Sequence, residues 1–299
     1  MSSQVNQSVN SILLADDGSE HSQAAIQLLC SLPLPPDTVI NAVSVFTPLQ
    51  TSDHERLQKS LEHAQACLYK QGLKVNTELV LGYPAEKLIN FAEESNPDLI
   101  VLGAKGLRST LGILLGGVAQ QVVEYANWPV LVVRAPYRPI RRVLLAVDGS
   151  LNSQHAVEYL ASFPLPDESN LQVMHVLPPP PHPESMIATW PPAPELIQPP
   201  YSLSPEEIDN ILAEEDKKGK VLLEQVIQTL RSYQRSASAV LHRGDAATEI
   251  MQYVREQQID LIVIGSRGLS PVRGWLLGSV SRKLIHYSGC SVLVVKKKS

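Results

Sequence analysis

Glycine and serine residues between positions 265 and 281 carry the most recognisable chemistry in this sequence. The stretch reads GSRGLSPVRGWLLGSVS and follows a short apolar run at 260–264 that predicts a buried strand. Gly278 and Ser279 precede an amphipathic segment, so they are expected to open a helix. Glycines let backbone N–H groups approach an anion, and a helix N-terminus carries about half a positive charge. The stretch therefore predicts a phosphate-binding loop.

An internal repeat indicates which elements hold this loop. Residues 12–45 and 143–176 agree at 15 of 34 aligned positions, and both contain Asp-Gly-Ser directly after an apolar strand. Two further pairs of segments match at one constant spacing: 98–103 with 260–265, and 130–133 with 292–295. The chain is therefore interpreted as a tandem duplication, with about 31 extra residues inside the second copy.

Each copy alternates strand and helix signals in the order of a parallel α/β sheet. In the first copy the predicted strands are 11–15, 39–46, 74–81, 98–102 and 130–133. The predicted helices are one that Ser19 caps, then 52–71, 84–95 and 116–125. The fold class is therefore predicted as α/β, with two tandem Rossmann-like doubly wound domains, each a five-stranded parallel sheet with four helices. The domains are expected to span residues 1–137 and 138–299.

The extra residues of the second copy are rich in proline. Residues 178–205 contain 11 prolines in 28 positions, which favours an extended or disordered loop. This Pro-rich insertion leaves the second strand of its copy near Val176, at the sheet edge where ligands bind in such folds. A tolerated surface insertion, a lid over the site and a motif for a partner all fit this position.

Composition and motif searches exclude several classes of function. The net charge of -5 and the pI of about 5.9 argue against a nucleic-acid partner. No secretory signal and no apolar run of about 18 residues is visible, and three scattered cysteines fit reduced thiols, so a cytoplasmic protein without a membrane partner is expected. The sequence also lacks the P-loop motif, paired metal-binding histidines and an evident Ser, His and Asp arrangement.

Taken together, these motifs resemble the universal stress protein family. Gly265, Gly268, Gly278 and Ser279 meet the pattern Gly-x-x-Gly, nine residues, then Gly-Ser. The Asp-Gly-Ser opening, the Asp-Leu-Ile-Val strand and the terminal Val-Leu-Val-Val occur in both copies, in the order of that family's repeat unit. The resemblance covers nearly the whole chain and implies two tandem copies of the family's domain.

The resemblance implies an ATP site in the second copy. In the nucleotide-binding branch of the family, the glycines and the hydroxyl residues surround the phosphates, and an aspartate after the first strand lies near the adenine or the ribose. Transferred to this chain, the site residues are Ala146, Asp148, Val176, Gly265, Arg267, Gly268, Gly278, Ser279, Val280 and Ser281. The expected cofactor is ATP, with or without Mg²⁺.

The residues themselves leave other roles open. Asp148 also fits a turn residue that bonds its own backbone within Asp-Gly-Ser. The glycines also fit tight packing between a strand and a helix. Arg267 and Ser281 are second choices for phosphate contacts, because each fits equally a solvent-facing or helix-capping role.

The first copy keeps the glycine spacing but lacks two hydroxyl groups. Its corresponding site residues are Asp17, Val45, Gly103, Gly106 and Gly116. Gly117 and Ala119 stand where the second copy has Ser279 and Ser281. A hydrogen bond to a charged group contributes about 1.5–3 kcal/mol, so the first site is expected to bind ATP more weakly or to stay empty.

Three functions fit the sequence. The leading hypothesis is a nucleotide-dependent regulatory module of the stress response, whose stress role comes from the resemblance alone. A slow ATP hydrolase or autophosphorylating protein, and an interaction module without nucleotide, are the alternatives, and no catalytic residue is assigned. Similarity to the family also implies an intramolecular pseudo-dimer that pairs 130–133 with 292–295, and it leaves a homodimer open.

Overall fold

The computed structural model of the chain describes residues 9–47, 54–106, 115–180, 204–269 and 277–297. Two halves with the same succession of strands and helices make up the structure. The first half contains β1 (Ser11–Ala15), α1 (Glu20–Ser31), β2 (Val39–Phe46), α2 (His54–Tyr69), β3 (Lys74–Leu81), α3 (Pro84–Ser95), β4 (Leu99–Gly103), α4 (Gly117–Tyr125) and β5 (Val130–Val133). The second half contains β6 (Arg142–Val147), α5 (Leu151–Ser162), β7 (Asn170–Leu177), α6 (Pro205–Ser232), β8 (Ala237–Arg243), α7 (Ala246–Glu256), β9 (Leu261–Gly265), α8 (Ser279–Tyr287) and β10 (Ser291–Val295).

The ten strands in the described ranges form one continuous sheet, in the order β3-β2-β1-β4-β5-β10-β9-β6-β7-β8. Neighbouring strands within each half are parallel. The halves meet at β5 and β10, which pair antiparallel with Val132 opposite Val292 and Val130 opposite Val294. The predicted α/β class is confirmed, as are five strands and four helices in each half. The two five-stranded sheets are joined into one, because their last strands hydrogen-bond to each other.

Helices cover both faces of this sheet, so its central strands are buried on both sides. All four residues from Leu99 to Leu102 are at most 3% exposed. One apolar layer contains Leu29 and Phe163, and the opposite layer contains Val122 and Ile285, so each layer is continuous across the two halves. This double burial explains why the strands are rich in Val, Leu and Ile and do not alternate with polar residues.

The second helix of the second half differs from the sequence prediction. α6 starts at Pro205, and Ser204 caps it: Glu207 N–H donates to Ser204 Oγ at 3.2 Å, and Ser204 N–H donates to Glu207 Oε2 at 2.7 Å. The prediction of an extended segment through Pro205 is therefore wrong at its end, because proline is well tolerated in the first turn of a helix. What was predicted for residues 181–203 lies outside the described residues.

A buried arginine and a half-buried lysine connect the two halves reciprocally. Arg134, just after β5, donates from Nη2 to the carbonyl of Ile285 in the last turn of α8 at 2.6 Å. Lys296, just after β10, donates from Nζ to the carbonyls of Glu124 at 3.0 Å and Ala126 at 2.6 Å, at the end of α4. Cations stabilise the negative end of a helix. Each half therefore holds the C-terminus of the last helix of the other half.

Candidate nucleotide-binding site

A cavity of about 620 Å³, here called cavity 2, opens where the strands of the second half reach their carboxyl ends. The ends of β6 and β7 and the loop after β9 form its walls, together with the first turn of α8. The structure brings together in its lining all ten residues predicted for the second copy: Ala146, Asp148, Val176, Gly265, Arg267, Gly268, Gly278, Ser279, Val280 and Ser281.

A cavity of about 700 Å³, here called cavity 1, occupies the equivalent place in the first half. It likewise contains all the residues predicted there: Asp17, Val45, Gly103, Gly106 and Gly116. Its lining also includes His286 and Tyr287, which belong to the second half. The predicted sets are therefore assembled in space, whereas the binding of a ligand by them stays a prediction.

The first glycine of each loop is explained by packing against a helix. A Cβ on Gly265 would lie 2.6 Å from the backbone carbon of Asn152, and a Cβ on Gly103 would lie 2.8 Å from the backbone nitrogen of Ser22. Real Cβ atoms do not approach backbone that closely. The alternative interpretation from the sequence, tight packing of strand against helix, therefore describes these two positions.

The later glycines let the loop close on itself. A Cβ on Gly268 would lie 2.5 Å from Asp148 Oδ2. Gly278 N–H donates to the carbonyl of Ser266 at 2.8 Å, and a Cβ on Gly278 would lie 3.3 Å from Arg267 Cα. The N–H group of Gly278 is thus used inside the loop. The place of Gly278 among the residues that surround a phosphate stays a prediction.

Asp148 has one carboxylate oxygen in a turn and one that faces the loop glycine. Its Oδ1 accepts a hydrogen bond from Ser150 N–H at 3.0 Å, as expected for a turn residue in Asp-Gly-Ser. Ser150 Oγ in turn donates to the carbonyl of Arg267 at 3.2 Å and accepts from Ser153 N–H at 3.2 Å. The corresponding residues of the first half make the same three contacts. Oδ2 is therefore the atom of Asp148 that a ligand could engage.

The two serines of the second loop have different surroundings. Ser281 is only 6% exposed, and its Oγ donates to the carbonyl of Gly265 at 2.9 Å. Its proton is therefore used within the loop, and a phosphate contact of Ser281, which was a second choice from the sequence, stays a prediction. Ser279 is exposed and is the first residue of α8, and within the described residues no side chain caps this helix end. Ser279 is therefore the hydroxyl placed to meet an anion together with the first N–H groups of the helix.

Two cations in the first turns of α8 were not identified from the sequence. Arg282 and Lys283 both line cavity 2. Arg282 Nη2 lies 3.6 Å from Glu124 Oε1, and Lys283 Nζ lies 3.9 Å from Asp245 Oδ1. Residues three and four positions apart share one face of a helix, so the spacing from Ser279 was the available signal. Together with Arg267, these side chains give cavity 2 three cations.

Cavity 1 has a different set of charges. Its described lining contains one cation, Lys105, and two carboxylates, Asp16 and Asp17. Gln120 occupies the position that corresponds to Arg282. Burial is the main cause that lowers the pKa of His286, and the nearby Arg282 and Arg134 lower it further. The imidazole at the edge of cavity 1 therefore favours its neutral form at pH 7.

Asp16 is part of a buried polar network that the second half lacks. Its Oδ1 accepts from Gly18 N–H at 2.9 Å, and its Oδ2 accepts from Ser60 Oγ at 2.6 Å. The residues at the equivalent positions of the second half are Val147 and Leu222. The carboxylate is satisfied by protein donors, as a buried charge requires, so its contribution to cavity 1 is its negative charge.

Neither a cluster of metal ligands nor a membrane-spanning helix is found in the described part of the chain. No group of three or more His, Cys, Asp or Glu side chains there could hold a metal ion. No helix in those ranges is both long and apolar enough to span a bilayer. Arg273, which the sequence offered as a source of charge for hydrolysis, lies outside the described residues.

Comparisons with known proteins agree with this architecture. The model of the universal stress protein family matches residues 9–134 and again residues 139–296. A universal stress protein of Methanocaldococcus jannaschii is 40% identical over 82 residues, which cover 27% of the chain and 48% of that relative. One of Mycolicibacterium smegmatis is 26% identical over 96% of the chain and 97% of its own length. The crystal structure of a universal stress protein from Archaeoglobus fulgidus covers 98% of both chains, with a TM-score of 0.65 and 20% identity, and supports the fold. The chain therefore belongs to the universal stress protein family and contains two tandem copies of its domain.

Proposed function

We propose that the chain is an ATP-binding regulatory module of the stress response and that its main site is cavity 2. The observation that carries the proposal is the convergence of three cations on an uncapped helix N-terminus beside Ser279. Backbone N–H groups, the helix dipole and cationic side chains all favour a phosphate chain at that point. The ligand is ATP, with or without Mg²⁺.

The rest of cavity 2 fits the nucleoside part of the ligand. Its volume of about 620 Å³ lies in the usual range of small-molecule sites. Ala146, Val176 and Ile250 supply apolar walls for a base, and the small side chain of Ala146 leaves room beside Asp148. Asp148 Oδ2 accepts a hydrogen bond from an amine or a sugar hydroxyl. One site thus provides apolar contact for the base at one end and positive charge for the phosphates at the other.

Binding and regulation are proposed in preference to hydrolysis. Asp148 is the only carboxylate among the described lining residues of cavity 2, and its Oδ1 is held in a turn. A hydrolase needs a group that positions and activates water, in addition to charge that stabilises the phosphates. The regulatory role in stress and a cytoplasmic location are inferred from membership of the family.

The arrangement of the halves supports two further parts of the proposal. We assign the domains to residues 1–137 and 138–299, and we interpret them as an intramolecular pseudo-dimer. The antiparallel pairing of β5 with β10 and the reciprocal contacts of Arg134 and Lys296 favour this interpretation. Joining two copies in one chain raises their effective concentration and so maintains the contact.

The test compares one substitution at equivalent positions of the two loops. Ser279→Asp and Gly117→Asp each place a carboxylate at the first residue of an exposed helix start, where a negative side chain is compatible with the helix. We expect Ser279→Asp to weaken ATP binding about 100-fold in calorimetry, through loss of a hydrogen bond and added repulsion. We expect Gly117→Asp to leave the tight ATP site within about twofold of wild type.

Native mass spectrometry of protein purified without added nucleotide supplies the second measurement. We expect bound ATP on wild type and on Gly117→Asp, and no bound ATP on Ser279→Asp. Failure of wild type to carry or bind any adenine nucleotide would contradict the proposal and favour an interaction module. Equal losses in the two variants would contradict the assignment of the main site to cavity 2.

A further inference from the structure

Cavity 1 is built from both halves of the chain. His286 and Tyr287, at the C-terminal end of α8, line it, although α8 begins in cavity 2. Arg134 fixes this end of α8 by its hydrogen bond to the carbonyl of Ile285. Among the described residues, the lining of cavity 2 comes from the second half alone. The two cavities therefore differ in construction as well as in sequence.

The charges of the two linings differ more than their sizes. Among the described lining residues, cavity 1 has two carboxylates and one cation, and cavity 2 has one carboxylate and three cations. The volumes, about 700 and 620 Å³, are similar. Charge, and not space, is therefore what distinguishes the ligands that the cavities accept.

The nucleoside end of cavity 1 repeats that of cavity 2. Ala15, Asp17 and Val45 stand at the positions of Ala146, Asp148 and Val176. The described lining of cavity 1 compensates each added phosphate charge less than that of cavity 2, because it has one cation, Lys105, in place of three, and Asp16 adds a carboxylate that cavity 2 lacks. A Cβ on Gly117 would meet no atom within 4 Å, so the missing hydroxyl is not imposed by lack of space.

We propose that cavity 1 is a second site, selective for an adenine nucleoside that carries at most one phosphate, while ATP occupies cavity 2. The inference rests on the proposed function for the identity of the base. His286 and Tyr287 complete the site from the other half. A neutral imidazole both donates and accepts hydrogen bonds, and so it contacts a sugar or a single phosphate without adding the charge that a triphosphate needs.

The experiment uses the full chain and obstructs the base end of one cavity at a time. Ala146→Leu places a larger apolar side chain at the base end of cavity 2, and Ala15→Leu does the same in cavity 1. Adenosine, AMP and ATP are each titrated into both variants by calorimetry. In the Ala146→Leu protein we expect adenosine and AMP to bind at least about tenfold more tightly than ATP. In the Ala15→Leu protein we expect ATP to bind at least about tenfold more tightly than AMP.

Wild-type protein gives a readout that needs no variant. With cavity 2 saturated by ATP, AMP should still bind with one further equivalent per chain. AMP that binds only by displacing ATP would overturn the proposal, as would the same order of affinities in both leucine variants. If ATP binds to the Ala15→Leu protein while no ligand binds to the Ala146→Leu protein, the proposal fails and the proposed function stands. If no adenine ligand binds to any of the three proteins, both fail.

His286→Ala tests the contribution of the second half to cavity 1. In the Ala146→Leu background we expect this change to weaken AMP binding about fivefold, because a lining contact is removed. In the Ala15→Leu background the affinity for ATP should stay within about twofold of its value without the change. An unchanged AMP affinity would show that cavity 1 is not completed by α8.

Discussion

Cavity 1 and cavity 2 share one backbone frame and differ in the groups that face the ligand. In both, the first loop glycine packs against a helix backbone, and the second accommodates the aspartate of the Asp-Gly-Ser turn. Among the described residues, cavity 2 has a serine at the helix start and three cations in its lining, whereas cavity 1 has a glycine and one cation. We infer that the glycine pattern is required for the packing of the loop, whereas the hydroxyl group and the cations determine which ligand the cavity binds.

The largest loss of stability is expected when a side chain is added at the first glycine of either loop. Gly265→Val and Gly103→Val each force a side chain into the backbone of the adjacent helix, at 2.6 Å from Asn152 and 2.8 Å from Ser22. We expect each to lower the free energy of unfolding by about 3 kcal/mol or more in urea denaturation. A loss below about 1 kcal/mol in either variant would contradict a packing role for that glycine.

The reciprocal contacts between the halves predict a difference in pH dependence. Burial, and secondarily the charge of Arg267, lowers the pKa of Lys296 to about 8. The unfolded chain, with a lysine pKa of about 10.4, then binds more protons than the native state between pH 8 and 10, so stability rises with pH in that window. Lys296→Arg places in the second half the residue type that the first half has at Arg134. Because arginine stays charged over this pH range, the free energy of unfolding of the variant should not show this rise with pH.

The difference between wild type and Lys296→Arg measures this effect. Between pH 7 and pH 10 the wild type should gain about 2–3 kcal/mol of unfolding free energy relative to the variant. Other titrating groups are common to both proteins and cancel in the comparison. Parallel stability curves over this range would show that Lys296 stays protonated in the native state.

Two cations of cavity 2 can be exchanged for the residues at the same positions of the first half. Arg282→Gln with Lys283→Gln copies Gln120 and Gln121 of the first half. We expect ATP binding at cavity 2 to weaken about tenfold at low salt, and by less at high salt, because exposed charges are screened. Calorimetry at two salt concentrations checks both parts. A loss that does not depend on salt would point to altered structure in place of altered charge.

The smallest effect is expected from exchanging the hydroxyl. Ser279→Gly should weaken ATP binding at cavity 2 about fivefold, and Gly117→Ser should strengthen it at cavity 1 by a similar factor, because one exposed hydrogen bond is lost or gained. Gly117 has space for the side chain. Titration of both proteins with ATP measures the change. Opposite signs confirm the comparison, and no change in either would remove Ser279 from the phosphate contacts.

Much of the fold was predictable because it depends on local patterns. Short apolar runs identified the strands, and the repeat identified the equivalent loops, so that the residues predicted for each cavity are found in its lining. The start of α6 was missed because Pro205, the last proline of a proline-rich segment, occupies a helix position that tolerates proline.

The remaining features depend on contacts between distant segments. The pairing of β5 with β10 was expected only from the resemblance to the family, and nothing in the sequence indicated that His286 reaches the cavity of the other half. The internal hydrogen bond of Ser281 likewise follows from the return of α8 to the end of β9. Arg282 and Lys283 could have been found from helical spacing alone, once Ser279 was taken as the first residue of a helix.

The most direct test of the central claim is a calorimetric titration of the full wild-type chain with ATP. We expect one tight ATP site per chain, with any second site at least about tenfold weaker. The tight site should be lost in Ser279→Asp and kept in Gly117→Asp. Two equally tight ATP sites per chain would contradict the asymmetry between cavity 1 and cavity 2.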